Sequence, residues 1–243
     1  MRYAYLQDMG LIGAQLEAFA LYQTMLLEGN AKVNLTSITA PEEVEIKHFV
    51  DSLLLMRCPI WQESIRSAPE QSSLRAADVG SGAGFPGIPL QIAMGGKLCL
   101  DLLEATGKRV VFLRTLIEAL GLPDTKALHI RAEDAGRDAA YRARYDWVFA
   151  RGVAAMPALL EYCLPLLRIG GHFAAYKGPA GSEEAKGAVY AAATLGGKLV
   201  DSIEAPLPEG QGQRCILVYE KVASTPRAYP RKAGIPAKQP LQK

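Results

Sequence analysis

One short stretch constrains this chain more than any other. It is Asp78-Val-Gly-Ser-Gly-Ala-Gly84, running on through Phe85-Pro-Gly87, and it begins in the last two residues of a short strand expected at 74–79. A strand, a glycine turn and a helix start, in that order, bring backbone N–H groups close to a ligand beyond the carboxyl edge of a sheet. The spacing Gly82-x-Gly84-x-x-Gly87 also satisfies the dinucleotide fingerprint, and a plain tight turn is the simplest alternative, so the glycines alone leave the ligand open. Two neighbours tilt the balance. Asp78 would repel a pyrophosphate but could engage an amino-acid ammonium. Phe85 and Pro86 crowd the turn where a diphosphate would lie. The expected ligand is a nucleoside without a diphosphate, such as S-adenosylmethionine.

The rest of the chain supplies the architecture around that turn. Residues 11–27 place Ile12, Leu16, Phe19, Ala20, Leu26 and Leu27 at three- and four-residue steps, which predicts an amphipathic helix. Thr39 with Glu42 and Pro41 predicts a capping box, opening a helix that carries Ile46, Phe49, Val50, Leu53 and Leu54 and ends at Cys58-Pro59. Residues 64–73 are polar and are expected to be a linker. From 74 onward strands and helices alternate: strands at 74–79, 98–103, 127–130, 145–150 and 172–176, helices at 107–120 and 154–167, and a helix capped by Ser182. The last two strands, 198–203 and 215–219, are joined by a loop too short for a crossover helix, so they should pair antiparallel. The fold class is α/β: a mostly parallel, doubly wound sheet with an antiparallel strand and an N-terminal helical extension. The expected division is 1–73 for the extension and linker, 74–221 for the binding core, and 222–243 for a tail.

In such a sheet, chemistry sits at the carboxyl ends of the strands. Glu104 ends the second strand twenty residues past Gly84, where a carboxylate can accept from both ribose hydroxyls; a solvated strand end is the alternative. Ala132-Glu133 follows the third strand, where a backbone N–H and an acid can read an adenine edge. An acid serving a helix dipole would look the same. Arg151 ends the fourth strand and is either a site residue or a surface ion pair.

Charge and composition narrow the classes further. The tail 222–243 carries Arg227, Arg231, Lys232, Lys238 and Lys243 with no acid, so the remainder of the chain is slightly acidic. Its prolines favour extended chain, and an extended basic arm can track a phosphate backbone, although a solvated terminus would read the same way. Four scattered cysteines without a C-x-x-C pair are expected to be free thiols in a reducing compartment. Three scattered histidines give no support to a metal site. The first thirty residues lack a basic segment followed by an apolar run, and no stretch approaches a membrane span, so a cytoplasmic protein is expected.

These residues closely resemble a known family. Asn34-Leu-Thr-Ser-Ile38, Lys47-His-Phe-Val-Asp-Ser52, the run from Asp78 to Pro89, Glu104-Ala-Thr-Gly-Lys-Arg-Val-Val-Phe-Leu113, Arg131-Ala-Glu133, Ala150-Arg-Gly-Val-Ala154 and Tyr176-Lys-Gly178 carry the likeness. It is to the bacterial small-subunit ribosomal RNA (16S rRNA) guanine-N7 methyltransferases, also called glucose-inhibited division protein B. Tyr229-Pro-Arg-Lys232 resembles the tail of the family's Gram-positive members.

The resemblance implies a Rossmann-like class I methyltransferase fold, S-adenosylmethionine as donor, and a guanine in 16S rRNA as target. It implies donor contacts at Gly80, Phe85, Ala132, Glu133 and Arg151, to which the residue reading adds Asp78, Gly82, Gly84 and Glu104. Arg151 would position donor or guanine without acting as a base. RNA contacts are expected at Lys47, His48, Lys108, Arg109, Arg227, Arg231 and Lys232; for Lys47-His48 a helix surface or core pair is equally compatible. No metal is expected. The partner would be small-subunit RNA or a ribosomal subunit, met by a monomer away from membranes. Three alternatives remain at this point: a nicotinamide oxidoreductase, a non-catalytic RNA-binding protein, and a methyltransferase of small molecules or proteins.

Overall fold

The apolar runs become strands because they can be buried on both faces, as parallel strands require. They are β1 Leu74–Val79, β2 Leu98–Glu104, β3 Thr125–His129, β4 Tyr145–Arg151, β5 Leu167–Lys177, β6 Gly197–Pro206 and β7 Gln213–Lys221. In this computed structural model, which describes residues 3–68 and 73–242, they form one seven-stranded sheet in the order β3-β2-β1-β4-β5-β7-β6. β1 pairs in parallel with β2 and β4, β2 with β3, and β4 with β5. β7 runs antiparallel to both β5 and β6, and the short loop before it accounts for the β6 pairing. Strand order reverses between β1 and β4, so the crevice outside their carboxyl ends is the topological switch point where such sheets bind ligands.

The helices are α1 Ala4–Asp8, α2 Ala14–Val33, α3 Pro41–Val44, α4 Asp51–Leu53, α5 Pro59–Ser67, α6 Gly87–Ala93, α7 Gly107–Ala119, α8 Ala132–Ala135, α9 Met156–Cys163, α10 Gly181–Gly187, α11 Val189–Leu195 and α12 Ile235–Lys238. Period-two alternation divides the interior. Trp147 and Phe149 of β4 point to one face of the sheet, where Phe19, Phe49, Leu53 and Trp61 of the N-terminal helices pack. Val148 and Ala150 point to the other, against Leu159, Leu160 and Leu195. Trp61 meets Trp147 edge-on at 5.0 Å between ring centroids. Burial of each such ring contributes on the order of 2–3 kcal/mol before entropy is counted. The N-terminal helices thus share one core with the sheet.

Several local expectations give way to backbone constraints. Gly10 and Gly13 adopt positive φ (84° and 48°), so α2 starts at Ala14 and Ile12 is left outside, largely exposed. Thr39 does not cap: α3 begins at Pro41 with Ala40 in the cap position, because proline brings no N–H that needs an acceptor. Between α3 and α4, residues Glu45–Val50 form a π-helical turn. Ser182 is likewise no cap; its hydroxyl donates to Glu204 at 2.9 Å. The expected helix 154–167 stops at Cys163, two residues before Pro165, and β5 starts at Leu167, paired with Tyr145. The expected linker is helical through Ser67, and its positions 69–72 lie outside the described residues. The tail is not an extended free arm: it lies against α8 and α9 and ends in α12, with Lys243 outside the described residues.

Candidate active site

The turn after β1 is built at positions that glycine alone fills without strain. Gly80, Gly82 and Gly84 all sit at positive φ (70°, 58° and 107°). A Cβ at Gly82 would meet nothing nearer than the Gly80 carbonyl at 3.9 Å, so that face of the turn is an open cradle. Gly87 opens α6 close to Asp78, where any Cβ would come within 2.8 Å of the carboxylate. Asp78 is fully buried. Its Oδ2 accepts from the Gly87 N–H at 2.9 Å, whereas Oδ1 has no partner. Burial pushes the Asp78 carboxyl up to about 7, against the pull of the Gly87 N–H and Arg151.

Glu104, at the tip of β2, closes the turn from the side. Its Oε2 accepts from the Gly82 N–H (3.0 Å) and its Oε1 from the Thr106 N–H (2.8 Å). The carboxylate is therefore held in place by the loop, and each oxygen keeps a second lone pair for another donor. Ala132 and Glu133 begin α8, beyond β3. Glu133 is nearly buried, and its Oε1 accepts from the Gly234 N–H of the tail at 2.9 Å.

Arg151 joins the N-terminal extension to the glycine turn. Its Nη1 donates to Asp51 Oδ2 (3.0 Å) and to the Lys47 carbonyl (3.1 Å), and its Nη2 reaches His48 Nδ1 at 3.1 Å. The guanidinium lies 4.8 Å from the centre of the Phe85 ring. Phe85 stacks with both His48 (4.4 Å) and Tyr22 (5.2 Å), and Tyr22 donates its hydroxyl to the Ala83 carbonyl at 2.7 Å. A guanidinium only donates, so His48 Nδ1 must be the acceptor and Nε2 carries the proton, which goes to Thr36 Oγ1 at 2.8 Å. Burial, reinforced by Arg151, lowers His48 to about 3. His48 is a neutral joint between extension and turn, which corrects its expectation as an RNA-facing cation.

The remaining basic positions divide. Lys47 pairs with Glu43 one turn away at 2.5 Å. Lys108 is exposed and Arg109 half-buried in the first turn of α7. Arg227 and Lys232 are exposed on the tail. Arg231 is not available as a phosphate contact: its guanidinium is committed to the fully buried Glu161, with Nη2 2.6 Å from Oε2. Sequence reasoning passes over Tyr22, Thr36, Asp51 and Glu161. Thr36 sits in the Asn34–Ile38 motif and Asp51 in the Lys47–Ser52 motif, but nothing local marks the other two. Among the described residues no cluster of three or more acids, cysteines or histidines could hold a metal.

Comparison with known proteins adds the following. A family model described as rRNA small subunit methyltransferase G matches residues 15–205. The chain is 43% identical over 228 residues to the Ribosomal RNA small subunit methyltransferase G of Alkaliphilus metalliredigens, covering 94% of this chain and 91% of that protein. It is 45% identical over 231 residues to the protein of the same name from Desulfitobacterium hafniense, covering 95% and 91%. Among solved structures it is similar to a putative O-methyltransferase from Klebsiella pneumoniae (TM-score 0.55, 13% identity, covering 83% of this chain and 90% of that one). It is also similar to a 16S rRNA (adenine(1408)-N(1))-methyltransferase from Catenulisporales acidiphilia (TM-score 0.53, 15% identity, 71% and 92% covered). These two structural likenesses concern the fold.

Proposed function

The chain belongs to the rRNA small subunit methyltransferase G family, and from that premise we propose that it methylates N7 of one guanine in 16S ribosomal RNA. It is an S-adenosylmethionine-dependent methyltransferase acting on small-subunit ribosomal RNA. The residues at the switch point fit that donor. The observation that carries this reading is Asp78: a fully buried carboxylate with one oxygen unpartnered, beside a turn whose Gly82 face is open. A buried polar atom without a partner is costly, and an ammonium group is the partner this one suits.

Asp78 would hold the ammonium at the amino-acid end of the donor. The N–H groups of Gly80, Gly82 and Gly84 already donate to the Leu103 carbonyl, Glu104 and the Ser81 carbonyl. These glycines would serve by letting the backbone approach the donor closely, which corrects the expectation that their amides bind it. Glu104 would accept from the ribose hydroxyls, and the Ala132 N–H with Glu133 would read the adenine. Phe85 would wall the site on the side of Arg151. The donor supplies a methyl carbon activated by a sulfonium. Guanine N7 carries an exposed lone pair, so its alkylation needs no base, and the local residues agree. Arg151 cannot take a proton, and the only lone pair of neutral His48 already accepts from Arg151. The chain's contribution is then alignment, which can lower a barrier by up to roughly 7–11 kcal/mol. Arg151, fixed by Asp51 and the Lys47 carbonyl, is the positioning group.

RNA would be met largely through salt-sensitive phosphate contacts from Lys108, Arg109, Arg227 and Lys232. No described helix is long and apolar enough to cross a membrane. The four cysteines are free thiols, three of them buried, which suits a reducing cytoplasm. The test is incubation with methyl-labelled S-adenosylmethionine and ribosomal RNA from a strain lacking this gene. Label in N7-methylguanine at one position of the small-subunit RNA is expected. Tight donor binding with no label in free RNA or in subunits would overturn the target and keep the donor site.

A further inference from the structure

Beyond β7 the chain crosses α8 and α9 and closes on the adenine side of the donor site. Three arginines fix its course. Arg142 donates to the carbonyls of Gly136 (2.7 Å), Tyr229 (2.8 Å) and Thr225 (2.7 Å). Arg137 donates to the Pro230 carbonyl at 2.8 Å. Arg231 turns inward to Glu161: its backbone N–H and Nε both donate to Oε1 (2.7 and 2.9 Å), and Nη2 donates to Oε2 at 2.6 Å. Three residues on, Gly234 adopts φ +81° and donates its N–H to Glu133 Oε1 at 2.9 Å. Glu133 Oε2 makes no hydrogen bond among the described residues. Glu133 and Glu161 lie inside the family match, whereas the tail residues that clamp them lie beyond its end at 205.

We propose that the Arg231–Glu161 pair is a positioning device for the donor, holding Gly234 on one oxygen of Glu133 so that the other oxygen faces the adenine amino group. The pair is suited to this task. Glu161 is fully buried, so it depends on its partner, and the planar guanidinium fork fixes direction as well as distance. A carboxylate pinned through one oxygen has lost its rotamer freedom before the ligand arrives, which lowers the ordering cost of binding. The tail thereby serves adenine recognition, and its inward-facing arginine has no part in holding RNA. This rests on the assignment of Glu133 to the adenine edge.

The test uses the full-length protein and two probes: S-adenosylhomocysteine and the same compound lacking the adenine amino group. Wild type should prefer the amino form. Arg231→Ala should weaken S-adenosylhomocysteine binding by about tenfold, the loss of roughly one charged hydrogen bond, and should bring the preference close to one. The double variant Glu161→Gln/Arg231→Ala leaves no unpaired buried charge and should show the same loss of preference in a chain that folds. KM for ribosomal RNA, and kcat at saturating donor, should stay within about twofold of wild type. A preference unchanged in both variants, whatever their melting temperatures, would overturn the proposal. Glu133→Ala separates the two levels. If it too keeps the preference, the adenine assignment fails; if it loses the preference while the Arg231 variants keep it, only the clamp fails.

Discussion

Asp78 and Glu161 are both fully buried carboxylates on opposite sides of the same sheet region, and the chain treats them in opposite ways. Glu161 receives a bidentate guanidinium and a backbone N–H from Arg231, so both its oxygens are satisfied from within. Asp78 receives one backbone N–H, and its second oxygen is left bare. Burial pushes Asp78 up to about 7, and the pull of Arg151 does not offset it. Burying a charge is tolerable when pairing and hydrogen bonds compensate it, and otherwise the group takes up a proton. The contrast separates an interior that the chain completes for itself from one that a cationic ligand completes.

The largest effect expected from breaking this contrast is on stability. Arg231→Ala leaves the buried Glu161 charge with only the backbone N–H at 231 and should cost about 2–4 kcal/mol in urea unfolding, somewhat below a fully buried pair because the guanidinium end is a quarter exposed. Adding Glu161→Gln should recover most of that loss. A cost below about 0.5 kcal/mol, typical of a surface pair, would remove the distinction. Asp78→Asn should do the reverse. It keeps the shape and discards a charge that is poorly hosted, so the unliganded protein should be as stable as wild type or more so. Donor affinity should fall about 10- to 100-fold, the loss of a charged contact of about 1.5–3 kcal/mol, as read by calorimetry. Equal destabilisation by the two single variants would show that Asp78 is structural.

A smaller effect should appear with pH. The Asp78 carboxyl is raised from 3.8 to about 7 in the folded chain. Below the unfolded value both states are protonated. As pH rises the unfolded chain ionises first, so this group's contribution to stability is lost up to about 7 and is constant above. Lys221 works the other way. Burial lowers it from 10.5 to about 7, so its penalty is full below 7 and is relieved as pH rises toward the unfolded value. From these two groups, unliganded stability should have a minimum near neutrality. Asp78→Asn should flatten the acid limb and Lys221→Met the alkaline one. Donor affinity, which needs the ionised carboxylate, should rise about tenfold between pH 6 and 8 in wild type and not in Asp78→Asn. A flat profile would mean that Asp78 is already ionised when the donor arrives.

The half of the site that lies along strands is legible in the amino-acid sequence. β1, β2 and β4 begin where their apolar runs begin, and Asp78, Glu104 and Arg151 stand at their carboxyl ends because period two and the position of the glycines leave little choice. Partnership across sequence distance is not legible in the same way. Local sequence leaves His48 open between an RNA contact and a helix surface or core pair; it is buried and neutral because Phe85, 37 positions later, stacks on it and Arg151, 103 positions later, occupies its nitrogen. The tail departs from expectation for the same reason. Its composition describes a solvated basic arm, and only the fold shows that one of its charges has a buried acid 70 positions upstream. Caps fail more locally: Thr39 and Ser182 match a motif, but Pro41 and Glu204 offer each segment a better arrangement.

The smallest expected effect tests whether that tail divides its charges as the geometry implies. Each phosphate contact on single-stranded RNA contributes about 0.7 to the slope of log affinity against log salt. Arg227 and Lys232 are exposed, so Arg227→Ala/Lys232→Ala should reduce the slope by about 1.4 if both touch RNA, and Lys108→Ala on α7 should reduce it by about 0.7. Arg231→Ala should leave the slope unchanged, because its charge is already neutralised by Glu161 and removing it frees an acid without removing a phosphate contact. Filter binding of small-subunit RNA across a salt series measures all three. A fall of about 0.7 in Arg231→Ala would show that the guanidinium leaves Glu161 to meet the RNA. The carboxylate would then be paired only between substrates, and the two buried acids would differ in timing instead of in kind.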